Sequence, residues 1–136
     1  MPRLPLPPEA DALLRRVNPA VIATLMPDGR PHTAVTWYDW DGERILVNMA
    51  ASRLRLDNMR RDTRVSVTVM DGADWYRQLT VFGRVDEIRD DADLVDIDRL
   101  SLRYTRRTFR NRSRARISAL IAPERWYGWE GSGHWP

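Results

Sequence analysis

Residues 44–70 read Arg44-Ile45-Leu46-Val47-Asn48-Met49, then Ala50-Ala51-Ser52-Arg53-Leu54-Arg55-Leu56-Asp57-Asn58-Met59-Arg60-Arg61-Asp62, then Arg64-Val65-Ser66-Val67-Thr68-Val69-Met70. The outer segments are strand-like. Val65, Val67 and Val69 alternate with Arg64, Ser66 and Thr68, the period of a strand with one face in and one face out. The middle segment predicts a short helix over 53–61, opened by Ser52. A helix start presents N–H groups without intrahelical partners and the positive end of the dipole. Arg53 and Arg55 on that first turn suit the place to a phosphate. Arg60 and Arg61, at the far end, complement the dipole and read as structural.

Working outward, Pro19 to Met26 reads as a buried strand, and Pro27-Asp28-Gly29-Arg30 as a hairpin turn with Gly29 at positive φ. A second strand runs from Pro31 to Trp40, and Asp41-Gly42 turns the chain again. On the other side, Asp71-Gly72-Ala73-Asp74 makes a loop. Trp75 to Ile88 is the longest strand candidate, with Leu79, Val81, Gly83 and Val85 on one side. A glycine there marks a bulge or a close backbone approach. Asp90, Asp91 and Asp93 open a helix with the apolar stripe Leu94, Ile97, Leu100 and Tyr104. Ile117 to Ala122 reads as the last strand, and Pro123 to Pro136 as a tryptophan-rich tail. The proline-rich start, residues 1–12, reads as an extended lead-in, although Glu9 to Arg16 has the spacing of a short helix that turns Leu13 and Leu14 inward. About six strands, hairpin turns and few helices predict a mainly β fold, a small antiparallel barrel in one domain over residues 1–136.

At 136 residues and 43% hydrophobic content the chain can bury a core of its own. No apolar run approaches the roughly 20 residues of a membrane span. The prolines of Met1-Pro2-Arg3-Leu4-Pro5-Leu6-Pro7-Pro8 stand where a signal peptide has an apolar helical run, so a cytoplasmic protein is expected. Cysteine is absent, which excludes disulfides, thiolate nucleophiles, iron–sulfur clusters and cysteine-ligated zinc. His32 and His134 lack partners at metal-ligand spacing, so no metal site is expected. The net charge is +3, and all 22 basic residues are arginine. A GC-rich genome accounts for that bias as a whole. Individual arginines still carry information by position, because the planar fork suits phosphate and carboxylate.

Other clusters divide between chemistry and packing. Trp75-Tyr76-Arg77-Gln78 reads either as an aromatic cover on a barrel end or subunit contact, or as a planar wall plus an amide facing a flat heterocycle. The run Arg103, Arg106, Arg107, Arg110, Arg112, Arg114, Arg116 reads as a nucleic-acid surface, a clamp for an anionic small molecule, or an exposed basic loop. Only Tyr104 and Phe109 interleave it, which is thin for nucleic acid. Trp126, Tyr127, Trp129 and Trp135 read as packing residues that cover the core or a partner. His32 is a candidate general acid, but a lone strand histidine is more often structural. No phosphate-cradling Gly-rich loop, dinucleotide fingerprint or Ser/His/Asp set is present. No catalytic residue is therefore assigned, and redox chemistry would fall to a bound cofactor.

With these residues in view, the chain resembles the pyridoxamine-phosphate-oxidase-like split-barrel superfamily. Within it, the chain is most similar to small flavin- or deazaflavin-dependent oxidoreductases of actinobacteria, often labelled F-420-dependent. The resemblance runs from Leu13 to Gly128. It rests on Val21-Ile22-Ala23-Thr24-Leu25 with Asp28-Gly29-Arg30-Pro31, on Val35-Thr36-Trp37-Tyr38, and on Asn48-Met49-Ala50 with Arg53, Arg55, Asn58 and Arg60-Arg61-Asp62-Thr63-Arg64-Val65-Ser66. Arg77-Gln78-Leu79-Thr80-Val81-Phe82-Gly83 and Ala122-Pro123-Glu124-Arg125-Trp126-Tyr127-Gly128 complete it. Departures are Arg55 where lysine is usual, Met49 where a hydroxyl is usual, and Val35 and Thr63 in place of prolines.

The resemblance implies a six-stranded antiparallel split β-barrel, a homodimer, and two cofactor sites at its interface. In it, Arg53 and Arg55 would hold the cofactor phosphate, and Asn58 would steady the helix start or a phosphate oxygen. The backbone around Val35, Thr36, Asn48, Met49 and Ala50 would line the tricyclic ring. Trp75 and Gln78 would reach in from the other subunit. Coenzyme F-420 is favoured over FMN, because the arginine run suits its acidic oligoglutamate tail. The function implied is hydride transfer between F-420 or FMN and a small conjugated or heteroaromatic substrate. A non-catalytic carrier of the same cofactor and a nucleic-acid-binding module are the alternatives.

Overall fold

Two strands at opposite ends of the sheet are joined by only two residues, and that link closes the fold. In the computed structural model, which describes residues 3–130 and the backbone of 133–134, the chain runs α1 (Pro8–Arg15), β1 (Ala20–Leu25), β2 (Pro31–Thr36), β3 (Asp39–Trp40), β4 (Ile45–Ala50), α2 (Leu54–Arg61), β5 (Arg64–Asp71), β6 (Asp74–Asp90), α3 (Val95–Thr105), β7 (Arg116–Glu130) and β8 (Gly133–His134). The strands pair antiparallel in the order β2-β1-β5-β6-β7-β4-β3, with β8 on β7. The link between β2 and β3 spans at most about 11 Å from Thr36 to Asp39. The sheet must therefore curl until its two edges meet. This is the expected mainly β split barrel, with eight strands rather than six.

The extra strands have local causes. The run expected from Pro31 to Trp40 breaks at Trp37-Tyr38. Tyr38 turns fully inward and shares its hydroxyl proton between Leu14 O (2.9 Å) and Arg16 O (3.1 Å). The chain thus leaves β1 at Thr36 and resumes pairing with β4 at Asp39. The expected tail is the second half of β7, which pairs with β6 as far as Trp129. Trp126 is buried there, while Trp135 and the side chain of His134 lie outside the described residues. The lead-in is shorter than residues 1–12, because α1 starts at Pro8, where proline's fixed φ and missing N–H suit the first turn. Ala10, Leu13 and Leu14 of α1, and Leu56 and Met59 of α2, close the barrel core. That core is built from period-two positions such as Val67 and Val69 of β5 and Leu79 and Val81 of β6.

At Gly83 β6 lies too close to β7 for a side chain. A Cβ there would lie 2.3 Å from Ala122 O, and the β6–β7 register shifts between Phe82 and Gly83. Gly83→Ala forces backbone to move. It should cost about 3 kcal/mol, the upper range for overpacking, read as a lower denaturation midpoint. Burial raises the Tyr38 hydroxyl above its ordinary pKa. The unfolded chain ionises this group near pH 10 and the folded chain does not. Its stabilisation is whole below about pH 10 and is lost as the pH rises further. Urea titrations from about pH 8 to pH 11 should show that fall, and Tyr38→Phe should show less of it.

Candidate functional site

The site lies on the outer face of the β4–β7 pair. All six residues of β4 are buried, as are 117–121 of β7. Ile45, Val47 and Met49 face the barrel core with Ile117, Ala119 and Ile121. The alternate residues form cross-strand pairs on the opposite face: Leu46 with Leu120, Asn48 with Ser118, Ala50 with Arg116. Helix α3 covers the first two pairs. Leu100 packs on Leu46 and Leu120 beside Trp37.

Asn48 and Ser118 meet the start of α3 through a closed polar network. Asn48 Nδ2 donates to Ser118 Oγ (2.9 Å) and Asp91 Oδ2 (3.1 Å), and Ser118 Oγ donates to Asp96 Oδ2 (2.7 Å). Asp91 also accepts from the N–H groups of Asp96 (3.0 Å) and Ile97 (2.9 Å). Its carboxylate therefore caps α3 from outside the helix. Arg89 holds Asp96 from the far side at 3.1–3.2 Å. Of the three aspartates expected to open the helix, Asp91 does so and the other two do not. Asp90 belongs to β6, Asp93 is exposed, Leu94 is the cap position, and the acidic residues of the first turn are Asp96 and Asp98.

At the third pair the helix cover ends and a cleft of about 270 Å³ opens. It is lined by Arg53, Arg55 and Arg116, by Val35, Trp37, Ile97, Leu100 and Phe109, and by Thr36 and Asn48. Trp37 stacks on Tyr104 (centroids 5.5 Å apart, planes 12° apart) and meets Phe109 edge-on at 6.3 Å. Arg116 lies 4.7 Å above the Phe109 ring. None of the three arginines forms an ion pair among the described residues. Arg55 Nε is buried without a hydrogen-bond partner, and Arg55 Nη2 reaches Asn48 O at 3.5 Å. Burial pushes the proton affinities of Arg55 and Arg116 down, and the neighbouring Arg53 charge adds to both effects. The groups stay charged at any ordinary pH. Three crowded cations and an orphaned N–H fit a phosphate, and the apolar aromatic wall beside them fits a flat ring.

Of the residues expected to bind cofactor, the structure brings Val35, Thr36, Asn48, Arg53 and Arg55 together in the cleft. Ala50 is buried beside it, and the Met49 side chain belongs to the barrel core. Asn58 is not in the cleft. It is fully buried, donates to Thr24 Oγ1 (3.0 Å) and Met26 Sδ (3.5 Å), and accepts from Arg61 (2.9 Å). Arg61 also bonds Leu25 O, so the pair ties α2 to β1. Ser52 is exposed and does not cap α2; Arg53 takes the cap position in an extended conformation, without a side-chain bond. Trp75 and Gln78 lie near the β5–β6 turn and do not line this cleft.

Sequence reading missed Trp37, Ile97, Leu100, Phe109 and Arg116 as cleft residues. A signal was present for the network behind them. Asn48 and Ser118 are the single polar residues within two apolar strand runs, and they pair across the ladder. The arginine run is not one surface. Arg103 donates to the carbonyls of Leu14, Arg15, Arg16 and Tyr38. Arg112 pairs with Asp98 at 2.9 Å, and Arg116 enters the cleft.

The profile of the pyridoxamine 5'-phosphate oxidase family matches residues 6–130. The chain belongs to that family. Among solved structures, an F420 reductase is 27% identical, with a TM-score of 0.81 over 89% of this chain and 98% of that one. A conserved hypothetical protein, Rv2991 from Mycobacterium tuberculosis, is 26% identical, with a TM-score of 0.73 over 94% of this chain and 86% of that one. General Stress Protein 26 from Bacillus anthracis, 17% identical with a TM-score of 0.67 over 88% of this chain and 89% of that one, shares the fold. No curated protein matches the sequence. For this member of the pyridoxamine 5'-phosphate oxidase family, the matches support a flavin- or deazaflavin-binding oxidoreductase as the class. No helix among the described residues is long and apolar enough to cross a membrane.

Asp91→Ala removes an acceptor from three N–H donors in the wall behind the cleft. It should destabilise the protein by about 2–4 kcal/mol. Amide exchange at Asp96 and Ile97 should speed up more than exchange in β5.

Proposed function

We propose that the protein is an oxidoreductase that binds the deazaflavin coenzyme F-420, with FMN as the alternative cofactor, and acts on a small conjugated or heteroaromatic substrate. The observation that carries this reading is the set Arg53, Arg55 and Arg116. These are three guanidinium groups that form no ion pair among the described residues, although the Asp91 charge acts on Arg116, and they share the cleft with the apolar rings of Trp37 and Phe109. Arg53 and Arg55 hold the phosphate, aided by the unpaired N–H groups at the start of α2. The backbone of Val35, Thr36, Asn48, Met49 and Ala50 lies along the ring, and Asn58 serves by fixing α2. When bound, the ring supplies hydride transfer at its central position. The chain's own part is to bind, orient and exclude water, since no side chain lining the cleft is an acid or base that titrates near neutral pH. The F420 reductase relative favours F-420. So do the exposed Arg106, Arg107, Arg110 and Arg114, which suit an acidic tail.

A second copy of the chain completes the site on this reading. A cleft of about 270 Å³ is below the usual range for a drug-sized ligand, roughly 300–1,000 Å³. Val35 is 77% exposed at its edge, and Trp75 and Tyr76 are each 72% exposed elsewhere. A homodimer that lays Trp75 and Gln78 over the partner's cleft covers both sets. The lack of a titrating side chain in the cleft is also what a carrier without turnover would have.

Titration of the purified protein with F-420 and with FMN, followed by fluorescence, should give a Kd below about 100 µM, or 5–6 kcal/mol, for at least one of them. Arg53→Ala/Arg55→Ala should weaken it about 100-fold or more. Absence of binding by the unmodified protein refutes the reading. Binding without oxidation of reduced cofactor by any acceptor makes the protein a carrier.

A further inference from the structure

We infer that Arg116 is a third ligand of the anion in this cleft, and that Asn48 is the residue that positions it. The inference rests on the anion-site reading above and extends it to a residue on a different strand. Arg116 pairs with Ala50 across the β4–β7 ladder, and Ala51 N donates to Ala115 O at 3.0 Å. The start of β7 is thereby tied to the turn that leads into α2, on the same side as Arg53 and Arg55.

The guanidinium itself is only partly used. Its Nε donates to Asn48 Oδ1 at 3.0 Å, and Phe109 supports its plane at 4.7 Å. Its Nη groups have no hydrogen-bond partner among the described residues. Arg103 and Arg112 differ in this respect, for their forks are filled by carbonyls and by Asp98. A fork held at its root and free at its tips is arranged to meet a phosphate or carboxylate end-on, through its two Nη groups.

Asn48 cannot turn its amide round. Its N–H₂ group is committed to Ser118 Oγ and Asp91 Oδ2. A flipped amide would set its carbonyl against the Asp91 carboxylate and its N–H₂ against the Arg116 N–H, placing acceptor on acceptor and donor on donor. The carbonyl therefore always faces Arg116. Asp96, held by Arg89, fixes Ser118 in turn. The aim of the guanidinium is set by the buried network under α3, with no contact between that network and the ligand needed.

The test is calorimetric titration of the full chain with FMN and with F-420. Arg116→Ala should weaken binding about 10- to 100-fold, the worth of a hydrogen bond to a charged group. Added guanidinium ion should recover part of the loss. Arg116→Lys keeps the charge but lacks the planar fork that reaches Asn48 through one nitrogen and the anion through two others, so it should also bind more weakly. Asn48→Ala should weaken binding alone and have no further effect in the Arg116→Ala background, whereas a merely structural role gives additive losses. If both Arg116 variants bind within about twofold of the unmodified protein while Arg53→Ala/Arg55→Ala does not bind, Arg116 is no ligand and the anion-site reading stands. If the unmodified protein binds neither cofactor, the reading and this inference fall together. An additive cycle overturns the role given to Asn48 alone. Should Arg116→Ala fail to fold, the Arg116→Lys comparison decides.

Discussion

The carboxylate of Asp91 accepts from three donors at once, two at the start of α3 and one on the Asn48 side chain of β4. A buried carboxylate is costly unless it is fully bonded, and this one also sits at the positive end of a helix. It thereby determines where α3 begins and where the helix lies on the sheet. The chain tolerates a left-handed residue to do this, Leu94 at φ 60°, which for a branched side chain costs roughly 1–2 kcal/mol. Once α3 is placed, Leu100 covers Leu46 and Leu120, and two strands that would otherwise show an apolar face to water are buried on both sides. The cleft begins where that cover stops.

The arginines sort by what their five donors meet. Arg103 joins α1, the following loop and β3's approach through four carbonyls, and Arg61 joins α2 to β1. Arg89 and Arg112 are taken up by aspartates of α3. These groups are structural because their donors are filled within the chain. Arg53, Arg55 and Arg116 are held close together with donors left over, and their charges oppose one another. Their mutual repulsion lowers stability, and the Asp91 carboxylate offsets it in part at Arg116. This is the usual relation between a functional site and its scaffold, in which local strain is tolerated because surrounding packing over-determines it.

The strands and the barrel were legible because their cause is local. Alternation at Val65-Val67-Val69 and a glycine at 83 describe β5 and the β6 approach without knowledge of any partner. The place of Arg53 and Arg55 at the opening of α2 was legible for the same reason, since they lie on one turn after a strand. The division of the 31–40 run was not, because it depends on Tyr38 finding Leu14 O, more than twenty residues away in sequence. The long β7 was hidden by its composition: Pro123 and Glu124 interrupt the apolar pattern where the strand bulges past Gly83. Of the two roles the sequence left to Asn58, steadying the helix or bonding a phosphate oxygen, the structure places its bonds with the first, since they run to Thr24 on β1 and to Met26 just beyond it. Arg116 was lost within a run of seven arginines, since only the ladder opposite Ala50 distinguishes it from its neighbours.

The position of the cleft relative to the split in the barrel gives the remaining step. Strand β2 ends the sheet order, so one of its edges carries backbone N–H and C=O groups that no strand among the described residues pairs. An unpaired edge left in water invites association with another chain, and proteins cover or blunt it. Val35 and Thr36 stand on this strand, and the chain then passes through Trp37 to the opposite end of the sheet. The cleft and its rim therefore offer unpaired backbone groups, an apolar plane and guanidinium forks that are not filled. A flat heterocycle bearing a phosphate satisfies all three at once: ring edge on backbone, ring face on the wall, phosphate on the arginines. A purely apolar partner would leave the cations exposed, and a simple anion would leave the strand edge and Val35 in water. On the function proposed above, the ligand is both planar and anionic, and a second copy of the chain closes over it.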